Sequence, residues 1–197
     1  MKFFIATKNS GKIREFERIF GELGISTVTE KDLEKPVPEA EEDGETFAEN
    51  ALIKARAGAK FTGLPTVADD SGICVDALGG RPGILSARYA GRHGDDAANN
   101  AKLLSELSGV PADKRTAHYM CVIACAFPDG REFTVSGRCD GRIDFAESGT
   151  GGFGYDPLFI GETGKFSEVT AEQKDAVSHR GKAVRLFKEK IGEYLQW

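Results

Sequence analysis

The chain begins with a hydrophobic run, a polar loop and then a helical pattern. Residues 3–7 predict a short buried strand, and residues 8–12 predict a polar turn. Apolar side chains then recur three or four positions apart, which predicts a helix that ends near Gly21 or Gly24. These side chains are Ile13, Phe16, Ile19 and Phe20. In α/β proteins, a polar loop between a strand and a helix N-terminus is a common place for an anionic ligand.

A second helix and further strands follow. The apolar side of this helix comprises Phe47, Ala48, Ala51, Leu52, Ala55 and Ala59. Residues 65–68 predict a buried strand that ends in a polar turn at residues 69–72, and residues 73–75 predict another strand. Residues 79–89 predict an irregular loop, and residues 96–107 predict a third helix.

A long hairpin dominates the next part of the chain. Residues 117–127 and 132–135 predict its two strands, with the turn at residues 128–130, and residues 138–143 could extend the same sheet. The alternation of strand–helix units with this hairpin predicts an α/β protein with a mixed sheet and flanking helices, bent or split into two lobes.

The last part of the chain contains a glycine-rich loop and further helical patterns. The loop spans residues 149–157. Thr170 and Gln173 match a capping box, which predicts that a helix begins there. The final helix carries an apolar stripe of Val184, Phe187, Ile191 and Leu195.

Length and composition then limit the possibilities. The 197 residues, 40% of them hydrophobic and 29% charged, predict one domain over residues 1–197, with two small lobes at most. A protein that binds nucleic acid in general needs a basic face, and the net charge of −5 argues against one. This charge still permits a small anionic substrate. An apolar run of about 18 residues is missing, so we expect no membrane span. The apolar stretch within residues 1–7 is too short and too soon interrupted for a signal peptide, so we expect none.

The cysteines and histidines give no metal-binding pattern. The four cysteines contain no CxxC pair, and the three histidines are far apart with no HExxH motif, which argues against a zinc enzyme. Reduced, buried thiols are typical of a cytoplasmic protein, and we expect that location.

The first candidate for chemistry is the loop from Thr7 to Lys12. A lysine on a tight glycine turn before a helix is suited to phosphate oxygens, with backbone N–H groups beside it. A P-loop is excluded, because Ala6 replaces its first glycine and Ile13 replaces its Mg²⁺-binding hydroxyl residue. An ordinary solvated turn before a helix is the alternative.

Carboxylates form the second candidate. Asp69 and Asp70 follow an apolar strand, where two charges are costly unless they are paired or bind a cation. Their side chains should point to opposite faces, so only one is expected to face a site, and Mg²⁺ is a suitable cation. One carboxylate of the acidic run at residues 41–45 could supply a second ligand, although such runs are usually solvated. Lys54 is a lone cation on an alanine-rich helix, where a surface role is the alternative.

Aromatic and hydrogen-bond-donating residues form the third candidate. Phe153 lies between two glycines, which allows a flat ring to approach its face, and Lys174, His179 and Arg180 are donors suited to carbonyl oxygens on a base. Phosphate-binding cations, metal-binding carboxylates, an aromatic loop and donors together describe a nucleoside triphosphate site.

Six motifs in order give the chain a specific resemblance. They are Ala6-Thr7-Lys8-Asn9-Ser10-Gly11-Lys12, Gly44-Glu45-Thr46-Phe47-Ala48-Glu49-Asn50-Ala51, Ala68-Asp69-Asp70-Ser71-Gly72, Pro82-Gly83-Ile84-Leu85-Ser86-Ala87-Arg88-Tyr89, Gly149-Thr150-Gly151-Gly152-Phe153-Gly154-Tyr155-Asp156-Pro157 and Ser178-His179-Arg180-Gly181. Over nearly its whole length the chain resembles the inosine/xanthosine triphosphate pyrophosphatases, and no motif position departs from the family pattern.

The resemblance implies an elongated mixed α/β fold with two lobes around a central cleft, and a homodimer. It also implies Mg²⁺-dependent hydrolysis of the nonstandard purine nucleotides dITP, ITP and XTP to the monophosphate and pyrophosphate. Glu42 and Asp70 would bind the metal, with Asp70 as the proton acceptor for the attacking water. Glu42 is preferred to Glu41 because of its distance from the motif that begins at Gly44.

The resemblance also assigns two groups of substrate-binding residues. The triphosphate would contact Thr7, Lys8, Asn9, Ser10, Gly11, Lys12, Lys54 and Ser71. The base would contact Phe153, Gly154, Tyr155, Asp156, Lys174, His179 and Arg180. Donors from His179 and Arg180 would satisfy the 6-oxo group of hypoxanthine or xanthine and would oppose the 6-amino group of adenine.

Two other functions stay open at this point. One is a pyrophosphatase for another base-modified nucleotide, and the other is a non-catalytic nucleotide sensor or RNA-binding module. Asp70 and Glu42 argue against a binding role alone, because they would repel phosphate unless a metal ion lies between them.

Overall fold

The structure is a computed structural model that describes residues 1–38 and 40–195, without the side chains of residues 15 and 19. The predicted contribution of Ile19 to the first helix therefore lies outside the described residues. The strands are β1 (Lys2–Ile5), β2 (Ser26–Val28), β3 (Thr66–Val75), β4 (Thr116–Ala126), β5 (Glu132–Ile143), β6 (Phe159–Gly161) and β7 (Gly164–Lys165). The α-helices are α1 (Ser10–Glu22), α2 (Phe47–Thr62), α3 (Asp96–Glu106), α4 (Ala171–Val177) and α5 (His179–Leu195).

Within the described residues, seven strands form one sheet in the order β2-β1-β3-β4-β5-β6-β7. Strand β1 pairs in parallel with β2 and with β3, whereas β6 pairs antiparallel with β5 and with β7. The predicted mixed α/β sheet with flanking helices is therefore confirmed. None of the described helices is long and apolar enough to cross a membrane.

The chain divides into two compact units. The first comprises Met1–Asp70, Val122–Ser136 and Ala183–Trp197, and the second comprises Ser71–Cys121 and Gly137–Lys182. The expected arrangement as one domain with two lobes around a cleft stays a prediction.

Small side chains form much of the core in the first unit. The buried cluster comprises Ala51, Ala55, Ala59, Ala68, Val122, Ala124 and Ala126. Alanines on α2 allow close approach to the sheet, and Gly58 has no room for a side chain, because a Cβ there would lie 2.6 Å from Cγ2 of Thr66. Aromatic rings complete the packing, with the ring of Phe20 5.0 Å from that of Phe3 and 5.6 Å from that of Phe187.

The second unit has a separate core of larger side chains. Its buried members are Ile73, Val75, Tyr89, Leu103, Leu107, Ala117, Tyr119, Cys139, Ile143, Tyr155, Leu158, Phe159 and Phe166. Gly141 allows β6 to approach β5, since a Cβ at this position would lie 2.3 Å from the carbonyl oxygen of Ile160.

Two of the predicted strand boundaries are wrong. Residues 65–68 and 73–75 were expected as separate strands around a polar turn, but β3 runs without a break through Asp69, Asp70, Ser71 and Gly72. The return of the hairpin is likewise one strand, β5, through residues 132–143. Strands β2, β6 and β7 contain only two or three residues each, which is too short for a pattern of alternating side chains to reveal.

A buried arginine holds several chain segments of the second unit together. The guanidinium of Arg115 donates to the carbonyl oxygens of Leu107 at 2.9 Å, Ile143 at 3.0 Å and Asp144 at 2.8 Å. It also lies 4.4 Å from the ring centroid of Phe145. Burial lowers the pKa of Arg115, which reflects the cost of removing its charge from water.

We expect Arg115→Met to lower the free energy of unfolding by about 3 kcal/mol, because a buried acceptor without a donor costs about 1–3 kcal/mol. Urea denaturation would measure this change. Arg138→Met is the matched control, since Arg138 is exposed and pairs with exposed Asp140, and such pairs contribute no more than about 1 kcal/mol. Equal effects of the two substitutions would contradict a structural role for Arg115.

Candidate active site

The loop between β1 and α1 is organised by Asn9. Its Oδ1 accepts hydrogen bonds from the backbone N–H groups of Gly11 at 2.9 Å and Lys12 at 3.2 Å, so it caps the start of α1. The N–H of Asn9 in turn donates to the hydroxyl of Thr7 at 3.3 Å. Lys8, Asn9 and Ser10 are exposed. The first predicted motif is therefore a capped helix N-terminus with polar side chains at the surface.

Lys12 points from α1 to the carboxylate of Asp69. Its Nζ lies 2.8 Å from Oδ2 of Asp69, whose side chain is fully buried. This ion pair compensates for the cost of burying a carboxylate inside a strand. The residue before Asp70 is thus the partner of a lysine that the sequence assigns to phosphate binding.

Asp70 lies on the side of β3 against which α2 packs. Ala68, two residues earlier and therefore on the same face, belongs to the cluster formed with the alanines of α2. Lys54 of α2 accordingly reaches Asp70, with 3.4 Å between its Nζ and Oδ1 of the aspartate, and it lies 3.0 Å from Oε2 of Glu42. The structure brings together Glu42, Lys54 and Asp70, while Glu41 is exposed.

The segment before α2 is folded so that Glu42 returns to Lys54. Thr46 caps α2 and forms a capping box with Glu49. The N–H of Gly44 donates to Oδ1 of Asn50 at 2.9 Å. A Cβ on Gly44 would lie 2.7 Å from that same oxygen, so this close approach requires glycine. Sequence reasoning missed Asn50 as a positioning residue, although a buried asparagine on an alanine-rich helix face was a signal.

Burial and charge act in opposite directions on this cluster. Burial raises the pKa of Asp70, and the lowering effect of the Lys54 charge does not fully cancel it. Burial alone would lower the pKa of Lys54, but the carboxylates of Asp70, Asp69 and Glu42 together raise it. The lysine is therefore a stable cation, and Asp70 is a stronger base than an exposed aspartate.

The carboxylates fit a divalent cation. Oδ2 of Asp70 is buried and has no hydrogen-bond partner among the described residues. Over residues 1–38 and 40–195, no three His, Cys, Asp or Glu side chains come together as a metal site. Two carboxylates, one of them with an unpartnered oxygen among the described residues, are a donor set that suits a hard cation such as Mg²⁺, which commonly takes one or two protein carboxylates and completes its shell with water and phosphate oxygens.

In the second unit, Asp156 organises the glycine-rich loop. Its buried Oδ2 accepts from the N–H of Phe153 at 2.9 Å and from Nζ of Lys174 at 2.5 Å. Gly152 has a φ of +76°, and a Cβ there would lie 2.2 Å from Oδ2 of Asp156. The loop motif therefore contains glycine where the chain passes close to this carboxylate.

Phe153 presents its ring at the surface beside two cations. The residue is 45% exposed, and its ring centroid lies 4.8 Å from Nζ of Lys174 and 5.7 Å from Cζ of Arg180. Arg180 also donates from Nη2 to the hydroxyl of Ser71 at 3.1 Å. The predicted base residues Phe153, Lys174 and Arg180 are thus brought together, and Ser71 joins them.

His179 and Arg180 occupy the first turn of α5 and are both largely buried. The imidazole of His179 stacks on the ring of Tyr119, with centroids 4.5 Å apart and planes inclined by 9°. Gly181 allows the first turn of α5 to approach α4, because a Cβ there would lie 1.8 Å from the carbonyl oxygen of Asp175. Tyr119 was missed by sequence reasoning, since a tyrosine within an apolar strand gives no signal beyond burial.

Tyr155 differs from the other predicted base residues in its placement. It is 4% exposed and belongs to the core of the second unit, where its hydroxyl donates to the carbonyl oxygen of Ser86 at 2.8 Å. The hydroxyl of Ser86 accepts from the N–H of Ile73 at 2.9 Å and donates to the carbonyl oxygen of Gly83 at 2.6 Å. The side chain of Tyr155 therefore anchors the loop within the core.

Comparison with known proteins places this site in context. The dITP/XTP pyrophosphatase of Streptomyces coelicolor is 49% identical over 197 residues, which cover 98% of each chain. The dITP/XTP pyrophosphatase of Geobacter sulfurreducens is 51% identical and is matched over 97% of this chain and 96% of its own.

Solved structures agree with these relatives. The Ham1 protein of Staphylococcus aureus superposes with a TM-score of 0.89 at 38% identity, over 98% of this chain and 100% of that one. A nucleoside-triphosphatase, or dITP/XTP pyrophosphatase, of Mycobacterium abscessus has a TM-score of 0.80 at 46% identity, over 95% of this chain and 97% of its own. The model of the Ham1 family matches residues 3–190, and the chain therefore belongs to the Ham1 family.

Proposed function

We propose that the chain is a metal-dependent nucleoside triphosphate pyrophosphatase that removes the nonstandard purine nucleotides dITP, ITP and XTP from the nucleotide pool. Water is added across the α–β phosphoanhydride bond, which yields the nucleoside monophosphate and pyrophosphate. The observation that carries this proposal is the pair of carboxylates, Glu42 and Asp70, gathered around Lys54. One buried oxygen of Asp70 has no hydrogen-bond partner in the part of the chain that the structure describes. The dITP/XTP pyrophosphatases at about half identity support the choice of substrate.

We assign the triphosphate to the loop before α1, to Lys54 and to Ser71. Lys8, Ser10 and the side-chain nitrogen of Asn9 provide exposed donors at the N-terminus of α1, where the helix dipole favours an anion. Thr7 and Gly11 shape this loop through their hydrogen bonds with Asn9. The ammonium groups of Lys12 and Lys54 are assigned as hydrogen-bond donors to the phosphate oxygens as the pyrophosphate leaves.

Glu42 and Asp70 are the residues that would hold the metal, which we propose to be Mg²⁺. Such an ion, when bound, supplies positive charge against the phosphate oxygens and lowers the pKa of water near it. Asp70 accepts the proton of the attacking water. Its raised pKa favours this role, since a general base is most effective when its pKa approaches the working pH.

We assign the base to the glycine-rich loop, to α4 and to the start of α5. Phe153 offers an exposed aromatic face for stacking, which adds affinity for any purine. Lys174, His179 and Arg180 are donors for the 6-oxo group, and they leave the 6-amino group of adenine opposed by further donors. Gly154 and Asp156 hold the loop, and Tyr155 anchors it. Guanine shares the 6-oxo group, so these donors alone do not reject GTP.

Release of pyrophosphate from dITP, XTP, ATP and GTP would test the proposal. We expect fast release from dITP and XTP with Mg²⁺, little release from ATP, and loss of release with a chelator that added Mg²⁺ reverses. Release of orthophosphate instead of pyrophosphate would contradict cleavage at the α–β bond. Binding of dITP without release of either product would favour a nucleotide sensor.

We also propose that the protein is a homodimer, as the family resemblance implies, and that it acts in the cytoplasm. Leu85, on the short 3₁₀ helix Gly83–Arg88, is 46% exposed and is available for a partner surface. We expect sedimentation of micromolar protein to give the mass of two chains. We expect Leu85→Arg to shift that mass toward one chain, with Leu186→Arg, at another exposed leucine, as the control. A single-chain mass for the unmodified protein would contradict the dimer.

Asp70→Asn should reduce kcat for dITP about 10²–10⁴-fold, because the amide retains the shape of the side chain but loses its charge and basicity. The midpoint of thermal unfolding should not fall, since burial already disfavours the Asp70 charge. Asp69→Asn, one residue earlier, is the matched control. It should affect KM more than kcat, because Asp69 contacts Lys12. Wild-type turnover in Asp70→Asn would rule out its role as proton acceptor.

Phe153→Ala and Arg180→Ala should separate affinity from selectivity. Stacking on Phe153 does not distinguish purines, so its loss should raise KM for dITP and for ATP by similar factors. Arg180→Ala should reduce kcat/KM for dITP far more than for ATP. Because Arg180 is largely buried and bonded to Ser71, Arg180→Lys serves as a variant that retains the charge. An unchanged dITP/ATP ratio in a folded Arg180→Ala protein would remove Arg180 from base recognition.

A further inference from the structure

Helix α3 holds both backbone hydrogen-bonding groups of Gly154. Oδ2 of Asp96 accepts from the N–H of Gly154 at 2.8 Å, and Nδ2 of Asn100 donates to its carbonyl oxygen at 3.1 Å. Asp96 and Asn100 are four residues apart and therefore lie one above the other on the same face of α3. One helix face thus binds one glycine of the loop at two points.

This arrangement fixes the backbone on both sides of Phe153. A peptide unit is planar, so a hydrogen bond to the N–H of Gly154 fixes the plane that joins it to Phe153. The preceding plane is fixed by the N–H of Phe153, which donates to Asp156 at 2.9 Å. Two held planes determine the direction in which the Phe153 side chain leaves the backbone. Gly154 has a φ of +61°, which a non-glycine residue would rarely adopt at this point of the loop.

Burial of the polar side chain of Asn100 costs free energy that an apolar side chain at this position would not. It is 2% exposed, and its Oδ1 is buried without a hydrogen-bond partner among the described residues. An apolar residue would avoid that cost, and the neighbouring Leu103 on the same helix is an example, because it is fully buried in the core. The contact that Asn100 does make is the one with the carbonyl oxygen of Gly154.

We propose that Asp96 and Asn100 are positioning residues that hold Phe153 ready for a purine base. The inference rests on the proposed function, because it assigns a purine to the exposed ring. The gain comes from preorganisation: a ring that is already in place loses less conformational freedom when the base binds. Both residues bind the backbone of the loop through Gly154, so we expect neither to influence which purine is preferred.

Asp96→Ala is the decisive substitution, because Asp96 is exposed and its removal leaves no cavity. We expect KM to rise about tenfold for dITP and equally for ATP, with kcat unchanged, as for loss of a hydrogen bond to a charged group. Asp96→Asn should restore KM most of the way, since the amide oxygen can still accept from Gly154. An unchanged KM in Asp96→Ala, or a loss confined to kcat, would overturn the proposal.

Asp95→Ala is the matched control. Asp95 carries the same charge at the same helix end, but its side chain caps α3 by accepting from the N–H of Ala98 at 3.1 Å. Its replacement should lower the midpoint of thermal unfolding without raising KM. An equal rise in KM for Asp95→Ala would mean that charge or helix stability is responsible, which would overturn the specific role of Asp96.

A double-mutant cycle with Phe153 gives a second test. If Asp96 acts through Phe153, Asp96→Ala should change KM less than twofold in a protein that already carries Phe153→Ala. If the effects of the two single substitutions on KM multiply in the double variant, Asp96 acts independently of Phe153, which would overturn the proposal.

Hydrogen exchange of the Gly154 amide in substrate-free protein separates this inference from the proposed function. We expect faster exchange in Asp96→Ala than in the unmodified protein, and recovery in Asp96→Asn, whether or not dITP is hydrolysed. If the unmodified protein releases no pyrophosphate, the proposed function fails while the exchange rates still report on the Gly154 contact. Unchanged exchange in Asp96→Ala would show that the contact does not hold the loop.

Discussion

Two adjacent carboxylates inside a buried strand are the constraint on which the first unit depends. Asp69 and Asp70 point to opposite faces of β3, so a single cation cannot neutralise both by direct contact. The chain supplies a lysine for each, Lys12 from α1 and Lys54 from α2. The position of both helices against the sheet is therefore tied to charge compensation as well as to apolar packing.

The motif glycines and caps serve this constraint indirectly. Gly44 and Asn50 bring the acidic segment back to Lys54, and Gly72 lets β3 continue beside another segment of the second unit. A Cβ on Gly72 would lie 2.4 Å from the carbonyl oxygen of Gly83 and from Oγ of Ser86. Neither glycine is a predicted site residue, yet a side chain at either position would collide with the neighbouring segment that it allows to approach.

The sequence allowed the helices and the long hairpin to be predicted, because each depends on local spacing, whereas the individual site residues were assigned through the family resemblance. The continuity of β3 could not be predicted in this way. Asp, Ser and Gly are poor strand formers, and the lysines that make their burial possible lie far away along the chain. The same limit applied to the ion pairs. In the sequence Lys54 was a lone cation on a helix, whereas the fold places it between Glu42 and Asp70. Tyr155 is the reverse case, since its motif position gave no sign that its side chain enters the core.

Charge balance explains why the arrangement around Lys54 suits a metal-dependent reaction. Lys12 and Asp69 neutralise each other, which leaves one positive charge against the two carboxylates of Glu42 and Asp70. That remaining negative charge would oppose a triphosphate, and it also contributes to the raised pKa of Asp70, since Glu42 acts in that direction. A divalent cation between the carboxylates would reverse the sign and attract phosphate oxygens instead. Lys54 therefore holds the two carboxylates close together without neutralising both, which agrees with the proposal that a metal ion binds here together with an anionic substrate.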